Sequence, residues 1–408
     1  MHNYILNEGY SNNNFLINKA NGPYIYIKNK KYIDLSFSAG CLLLGHQSKI
    51  FKKNVNNIKK KNISITASPN NQSYKFSILL KKLFPRVSKF IFCNTGSEAI
   101  LKSLRIVKAI TKKDLIINVS GSWHGSTDKT LFTSGKNYKA LPLSEGLSKY
   151  DQSKIKFIPY NNIEISKKIL IKYKNKISCI LIEPIQGGLP TLKSLQYIKF
   201  LNTFATKNKI LLVFDEIITG LRTNCSSFHT NYNLKPDIFT LGKCFGGGLP
   251  IGIIAVNKNV EKKLNKLKKN IFFGGTFSGN SLSTFFGEST LNYIIRNKKK
   301  IFSDLEKKKI YFLNNLKNII KKNNLNISIY NFESIFRIIF SKEKIDNRIQ
   351  RDFFEKKKLK KIFLFKNYLF SKGIYYPSNG IIFLSTAINY KNLKKIVKTF
   401  EQGLKKFF

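Results

Sequence analysis

Apolar positions along the middle of the chain come in short unbroken runs separated by helical stretches. From about residue 72 the pattern turns helical, and Phe90-Ile91-Phe92-Cys93 then opens an alternation of strand and helix of the kind that builds a parallel sheet. Leu115-Ile116-Ile117-Asn118-Val119, Ile177 to Ile182 and Leu211-Leu212-Val213-Phe214 are continuously apolar, as strands buried on both faces are. Asp237-Ile238-Phe239-Thr240-Leu241 and Ile251 to Val256 read as two more strands.

These runs end in small or polar residues. Asn94-Thr95-Gly96-Ser97-Glu98 opens a helix expected to reach about Ile110, and Gly121-Ser122-Trp123-His124-Gly125 follows the next strand. Glu183-Pro184-Ile185-Gln186-Gly187-Gly188, Asp215-Glu216, and Gly242-Lys243-Cys244 with Gly246-Gly247-Gly248 close three others. In an open parallel sheet ligands bind at that edge, so the polar clusters mark the expected site.

The flanks differ. Residues 1–20 are polar, with a mobile start expected, and Tyr24 to Ile27 with Tyr32 to Leu35 alternate like a hairpin turning through Lys28-Asn29-Lys30-Lys31. Residues 129–154 read as a surface excursion, and Phe273 to Asn280 as a small-residue loop before a long helix. From about residue 290 come Lys-rich amphipathic helices with strand-like Ile335 to Phe340 and Ile381 to Leu384, the pattern of a second domain.

A chain of 408 residues that is 42% hydrophobic and 13% aromatic can bury a large core and is globular. The net charge of +50 has two readings, a footprint for nucleic acid or anionic membrane and a compositional background. Lysine is interleaved throughout with Asn, Ile, Phe and Tyr, types that share AT-rich codons, and no nucleic-acid-binding pattern accompanies it, which favours the background. Five scattered cysteines without Cys-x-x-Cys fit a reduced cytosol, and four histidines never at ligand spacing argue against a metal site. Met1 to Asn14 has no apolar signal core, and no run is long enough to span a membrane. Without Gly-x-x-x-x-Gly-Lys-Ser/Thr a P-loop enzyme is rejected, and no Gly-x-Gly-x-x-Gly opens a dinucleotide unit.

Among 72 Lys and Arg residues a given lysine is usually a solvated charge. Lys243 differs because a strand, a Gly-Lys step and three glycines place it at the sheet mouth, near the Asp215 carboxylate; a desolvated amine there can attack an aldehyde. The 94–98 turn suits a phosphate at a helix N-terminus or an ordinary cap. Trp123, the sole tryptophan, suits core packing or stacking on a planar ligand. His46 is a catalytic candidate or a hydrogen-bonded histidine beside an apolar run.

Together these motifs resemble the class III aminotransferases, pyridoxal-phosphate enzymes of the type I fold, and within them the glutamate-1-semialdehyde aminomutase group. The likeness covers about Gly22 to Thr386 and includes Gly275-Thr276-Phe277-Ser278-Gly279-Asn280. It implies an α/β large domain (47–288) with a mostly parallel sheet flanked by helices, and a smaller α+β domain from both termini (1–46 and 289–408). It implies that Lys243 carries pyridoxal 5′-phosphate as an internal aldimine, with pyridoxamine 5′-phosphate as the alternate form. Asp215 then pairs with the pyridinium nitrogen, Ile217 and Trp123 cover the ring faces, Gly96 and Ser97 hold the phosphate, and Thr276 reaches it from the partner of a homodimer.

The reading favoured on sequence is a cytoplasmic transaminase acting on a small-molecule amino donor and a carbonyl acceptor, with glutamate-1-semialdehyde 2,1-aminomutase as the alternative. A basic nucleic-acid-binding protein is the remote third reading. Lys19 stands where the aminomutase has an arginine before Ala-x-Gly, and lysine lacks the bidentate fork. After Pro377-Ser378-Asn379 an acidic residue is missing, with Gly380-Ile381-Ile382 in its place. Lys19, Glu183 and Arg337 are the candidate substrate contacts; for Arg337 a structural role is the alternative. A racemase or decarboxylase on this fold stays open, because the scissile bond's angle to the ring decides the reaction.

Overall fold

The computed structural model describes residues 15–66 and 68–408, so the expectations for residues 1–14 lie outside the described residues. The chain packs into two compact units: Lys53–Gly187 with Thr191–Arg296, and residues up to Lys52 with Gly188–Pro190 and Asn297–Phe408.

The first unit is built on a seven-stranded sheet. Its strands are β1 (Val87–Cys93), β2 (Leu115–Val119), β3 (Ile155–Ile158), β4 (Ile177–Ile182), β5 (Leu211–Asp215), β6 (Ile238–Gly242) and β7 (Gly252–Asn257), in spatial order β1-β7-β6-β5-β4-β2-β3. Every residue of β4, β5 and β6 is buried, which explains their unbroken apolar runs. Helix α1 (Gly96–Thr111) turns Ala99, Ile100, Leu104 and Val107 onto Val213, Ile238 and Ile254 of the sheet. Each large apolar side chain buried there stabilises the unit by roughly 1.5–3 kcal/mol.

Two parts depart from the sequence pattern. β7 pairs antiparallel with both β6 and β1, whereas the other pairings are parallel. A buried run carries no direction in its composition, but the link Lys243–Ile251 is shorter than the dozen or so residues of a parallel crossover. The excursion at 129–154 holds a hairpin, Phe132–Ser134 with Ala140–Pro142, whose Phe132 and Ala140 pack with Ile155 and Phe157. Strands of three residues are too short to register as a period.

The second unit carries the N-terminal hairpin, which turns on Lys28-Asn29 alone, Lys28 having φ of +52°. Polar Ile17–Asn21 adds an edge strand, and Ile374–Tyr375 pairs on the far side. A three-stranded sheet, Ser328–Phe332, Ile335–Ile339 and Ile381–Phe383, packs with the helices through Phe312, Phe336, Phe340, Phe365 and Phe400. The rings of Phe365 and Phe400 meet edge to face at 5.6 Å. His46 donates to or accepts from Asp34 Oδ2 at 2.8 Å and is a satisfied histidine of this unit.

Candidate active site

Three chemistry-bearing residues stand at the ends of three adjacent strands. Asp215 ends β5, Glu183 follows β4 on one side of it, and Lys243 follows β6 on the other. The registers Phe214 to Ile182 and Asp215 to Thr240 set Glu183 beside Asp215 at the sheet edge, with Lys243 three residues beyond Thr240 on the other side.

Asp215 and Glu183 are 6% and 4% exposed, so each carboxyl depends on protein partners. Asp215 Oδ2 lies 2.8 Å from His124 Nδ1, and its Oδ1 accepts from Ile217 N–H at 3.1 Å. His124 Nε2 is 3.1 Å from Asn118 Oδ1, an oxygen that also accepts Val119 N–H at 2.8 Å. An oxygen facing Nε2 makes that nitrogen the donor, with the tautomer inferred from the bonding. Glu183 Oε2 accepts Trp123 N–H at 2.8 Å. Burial first, then the negative Asp215, pushes the Glu183 carboxyl up to about 8, against the pull of the Trp123 and Gly187 amides and of Lys243. Glu216, next to Asp215, turns away: it is fully buried and taken by the His229 ring at 2.6 Å and the Thr219 hydroxyl at 2.9 Å.

Lys243 begins a single tight turn, Lys243–Gly246, with φ of +47°. A side chain held in the left-handed region costs of order 1 kcal/mol or more, and such strain gathers at working sites. Gly247 ends the turn at φ +61°, where a Cβ would lie 2.5 Å from Phe286 O, so this glycine is obligatory.

The start of α1 faces the same edge. Thr95 caps it by accepting Glu98 N–H, and Ser97 Oγ accepts Ser126 N–H at 3.1 Å. A Cβ on Gly125 would strike Ser97 Oγ, so the 121–125 turn closes onto the helix start through glycine. Ile217 touches the positions of Gly96 and Gly242, joining the helix start to the Lys243 strand. A cleft of about 400 Å³ opens between Ser97, Glu98 and Leu101 and the segment 126–129. Buried Lys102 meets Glu98, Phe273 O at 2.7 Å and Ser278 Oγ at 3.3 Å. Glu98 thus has its charge answered, and the helix N-terminus keeps its positive character. The same lysine fastens the 273–278 loop, on which Thr276 is exposed.

Lys243, Asp215, Glu183, Trp123, Ile217, Gly96 and Ser97 are therefore all on the large unit's sheet edge. Trp123 is 41% exposed, so it is not packed in the core. Lys19 and Arg337 belong to the other unit. Lys19 is exposed, with its ammonium 4.9 Å from the Tyr26 ring centre. Arg337 is 8% exposed, pairs with Glu355 at 3.0 Å and donates to Asn379 O. A Cβ on Gly380 would collide with that guanidinium. Sequence reasoning assigned nothing to His124, Asn118 or Lys102. Only Lys102 had a local signal, its i,i+4 spacing from Glu98. No cluster of metal-binding side chains and no helix able to cross a membrane occurs among the described residues.

Residues 5–356 match the family model described as aminotransferase class-III. The chain is similar to glutamate-1-semialdehyde 2,1-aminomutase of Methanosphaera stadtmanae, with 30% identity across 97% of this chain and 92% of that one. In structure it resembles an omega-transaminase from Sphaerobacter thermophilus, with a TM-score of 0.87, 18% identity and coverage of 95% and 90%. It also resembles a glutamate-1-semialdehyde-aminomutase from Pseudomonas aeruginosa PAO1 in complex with PMP, with a TM-score of 0.84, 14% identity and coverage of 97% and 88%.

Proposed function

This chain belongs to the class-III aminotransferases, and from that premise we propose that it is a glutamate-1-semialdehyde 2,1-aminomutase. The reaction moves an amino group between neighbouring carbons of one small molecule and yields 5-aminolevulinate. One observation carries the choice: likeness to an enzyme of that name runs along 97% of the chain. The second reading, a transaminase with separate amino donor and acceptor, is favoured by Lys19 in place of an arginine and by Gly380 where an acidic residue is expected.

The enzyme's cofactor is pyridoxal 5′-phosphate, with pyridoxamine 5′-phosphate as its amine form, and the edge residues fit it. The site supplies one amine, a carboxylate backed by an imidazole, a helix start with a hydroxyl for an anion, and an open indole for a flat ring. When bound, the cofactor supplies an electron sink that makes a neighbouring carbon–hydrogen bond acidic.

In this reading Asp215 would pair with the ring nitrogen, and His124, anchored by Asn118, holds Asp215 in place. Gly96 and Ser97 would hold the phosphate, and Ile217 and Trp123 would cover the ring. Nζ of Lys243 takes the proton from the substrate carbon that bears the amino group and returns one to the carbon that receives it. Two copies of the chain pair, with each Thr276 reaching the phosphate of the other copy's site.

The decisive experiment supplies glutamate-1-semialdehyde alone to the loaded enzyme. Repeated turnover to 5-aminolevulinate without an added donor is expected. A single half-reaction that restarts only when a second carbonyl compound is added would favour the transaminase instead.

A further inference from the structure

Glu183 and Asp215 end neighbouring strands, yet the chain equips them differently. One dipeptide serves both: Trp123 gives its backbone N–H to Glu183 Oε2, and His124 gives its ring to Asp215 Oδ2, each at 2.8 Å. An imidazole ring answers Asp215, whereas the donors on Glu183 are the backbone amides of Trp123 and Gly187. Burial and the neighbouring Asp215 both act against ionisation of Glu183, whose hydrogen-bond donors are those two amides.

We propose that Glu183 works in its protonated form, as a positioning residue that keeps Asp215 the single negative charge beside Lys243 and, on losing its proton, tightens the hold of Lys243 on its own. The charged and titratable groups around Glu183 are Asp215, Lys243, Tyr160 and, behind Asp215, His124. Burial and repulsion from Asp215 oppose its ionisation until about pH 8. Below that pH the site holds one negative charge, and above it two. A second anion stabilises a protonated nitrogen at Lys243, so the lysine end releases its proton at higher pH than it would beside a neutral side chain. This inference rests on attachment of pyridoxal phosphate to Lys243.

The test compares the loaded wild-type protein with Glu183→Gln, which keeps an oxygen for Trp123 N–H. Absorbance of the bound cofactor is followed from about pH 6 to about pH 10. The two spectra are expected to coincide at the acid end. At the alkaline end the wild type should keep the protonated chromophore to about one pH unit higher than the variant. Coincident titrations with the cofactor mapped to Lys243 would overturn the role of Glu183 alone; a cofactor mapped to another lysine would overturn its placement as well. A second measurement needs neither cofactor nor variant. Carbon-13 spectra of the wild-type glutamate carboxyls should contain a signal titrating near pH 8. If every glutamate carboxyl has titrated by about pH 6, the proposal is wrong.

Discussion

Two of the buried charge clusters, one in each unit, are built on opposite plans. In the smaller unit Arg337 and Arg351 converge on Glu355, at 3.0 Å and 3.7 Å, while Glu355 also accepts Phe340 N–H. Arg351 further engages Asp352 and Gly188 O, so each charge has opposite charges or carbonyls around it. At the sheet edge of the larger unit, Asp215 and Glu183 lie within each other's field, and only Asp215 has an imidazole. The closed cluster fixes a fold. The unequal one gathers two buried carboxyls with different partners at the edge that also carries Lys243.

The largest effect expected from breaking this contrast comes at the open cluster. Lys243→Ala should lower turnover by at least about a thousandfold while leaving the far-ultraviolet circular dichroism unchanged. A comparable loss of helix signal would mean that Lys243 holds the fold rather than the reaction. The closed cluster should behave in the opposite way. Glu355→Ala strands two buried guanidinium groups and should cost about 3–5 kcal/mol in urea unfolding. A loss below about 1 kcal/mol would show that the arginines find water instead.

Glu183 sharpens the comparison through pH. Its folded value is raised, so above the ordinary carboxylate range the unfolded chain has released a proton that the folded one keeps. Stability of the cofactor-free protein should therefore fall by up to a few kcal/mol from about pH 5 to about pH 8 and then level. Glu183→Gln should remove that part of the slope, and identical slopes would contradict it. Lys102→Met should cost about 1–3 kcal/mol, since Glu98 loses its buried partner, and should speed amide exchange across 273–278. Ser97→Ala is the mildest change, expected to weaken cofactor binding about fivefold to tenfold by equilibrium dialysis.

The open cluster was readable because strands buried on both faces print as unbroken apolar runs, and the residue after each run falls at the edge. Asp215, Glu183 and Lys243 could be placed that way without coordinates. His124 could not, because its partner lies 91 residues away and a single histidine beside glycine has no period. The closed cluster was opaque for the same reason. Arg337 meets Glu355 from another element, 18 residues on, and pattern alone could not separate a structural arginine from one waiting for a carboxylate. The direction of β7 was legible only through the length of its connection.

One chemical trapping experiment bears most directly on the claim that the open cluster is the working site. The protein loaded with pyridoxal phosphate is reduced with borohydride, digested and mapped by mass spectrometry. One modified peptide is expected, carrying the reduced cofactor on Lys243. Modification of another lysine, or of none, would contradict it.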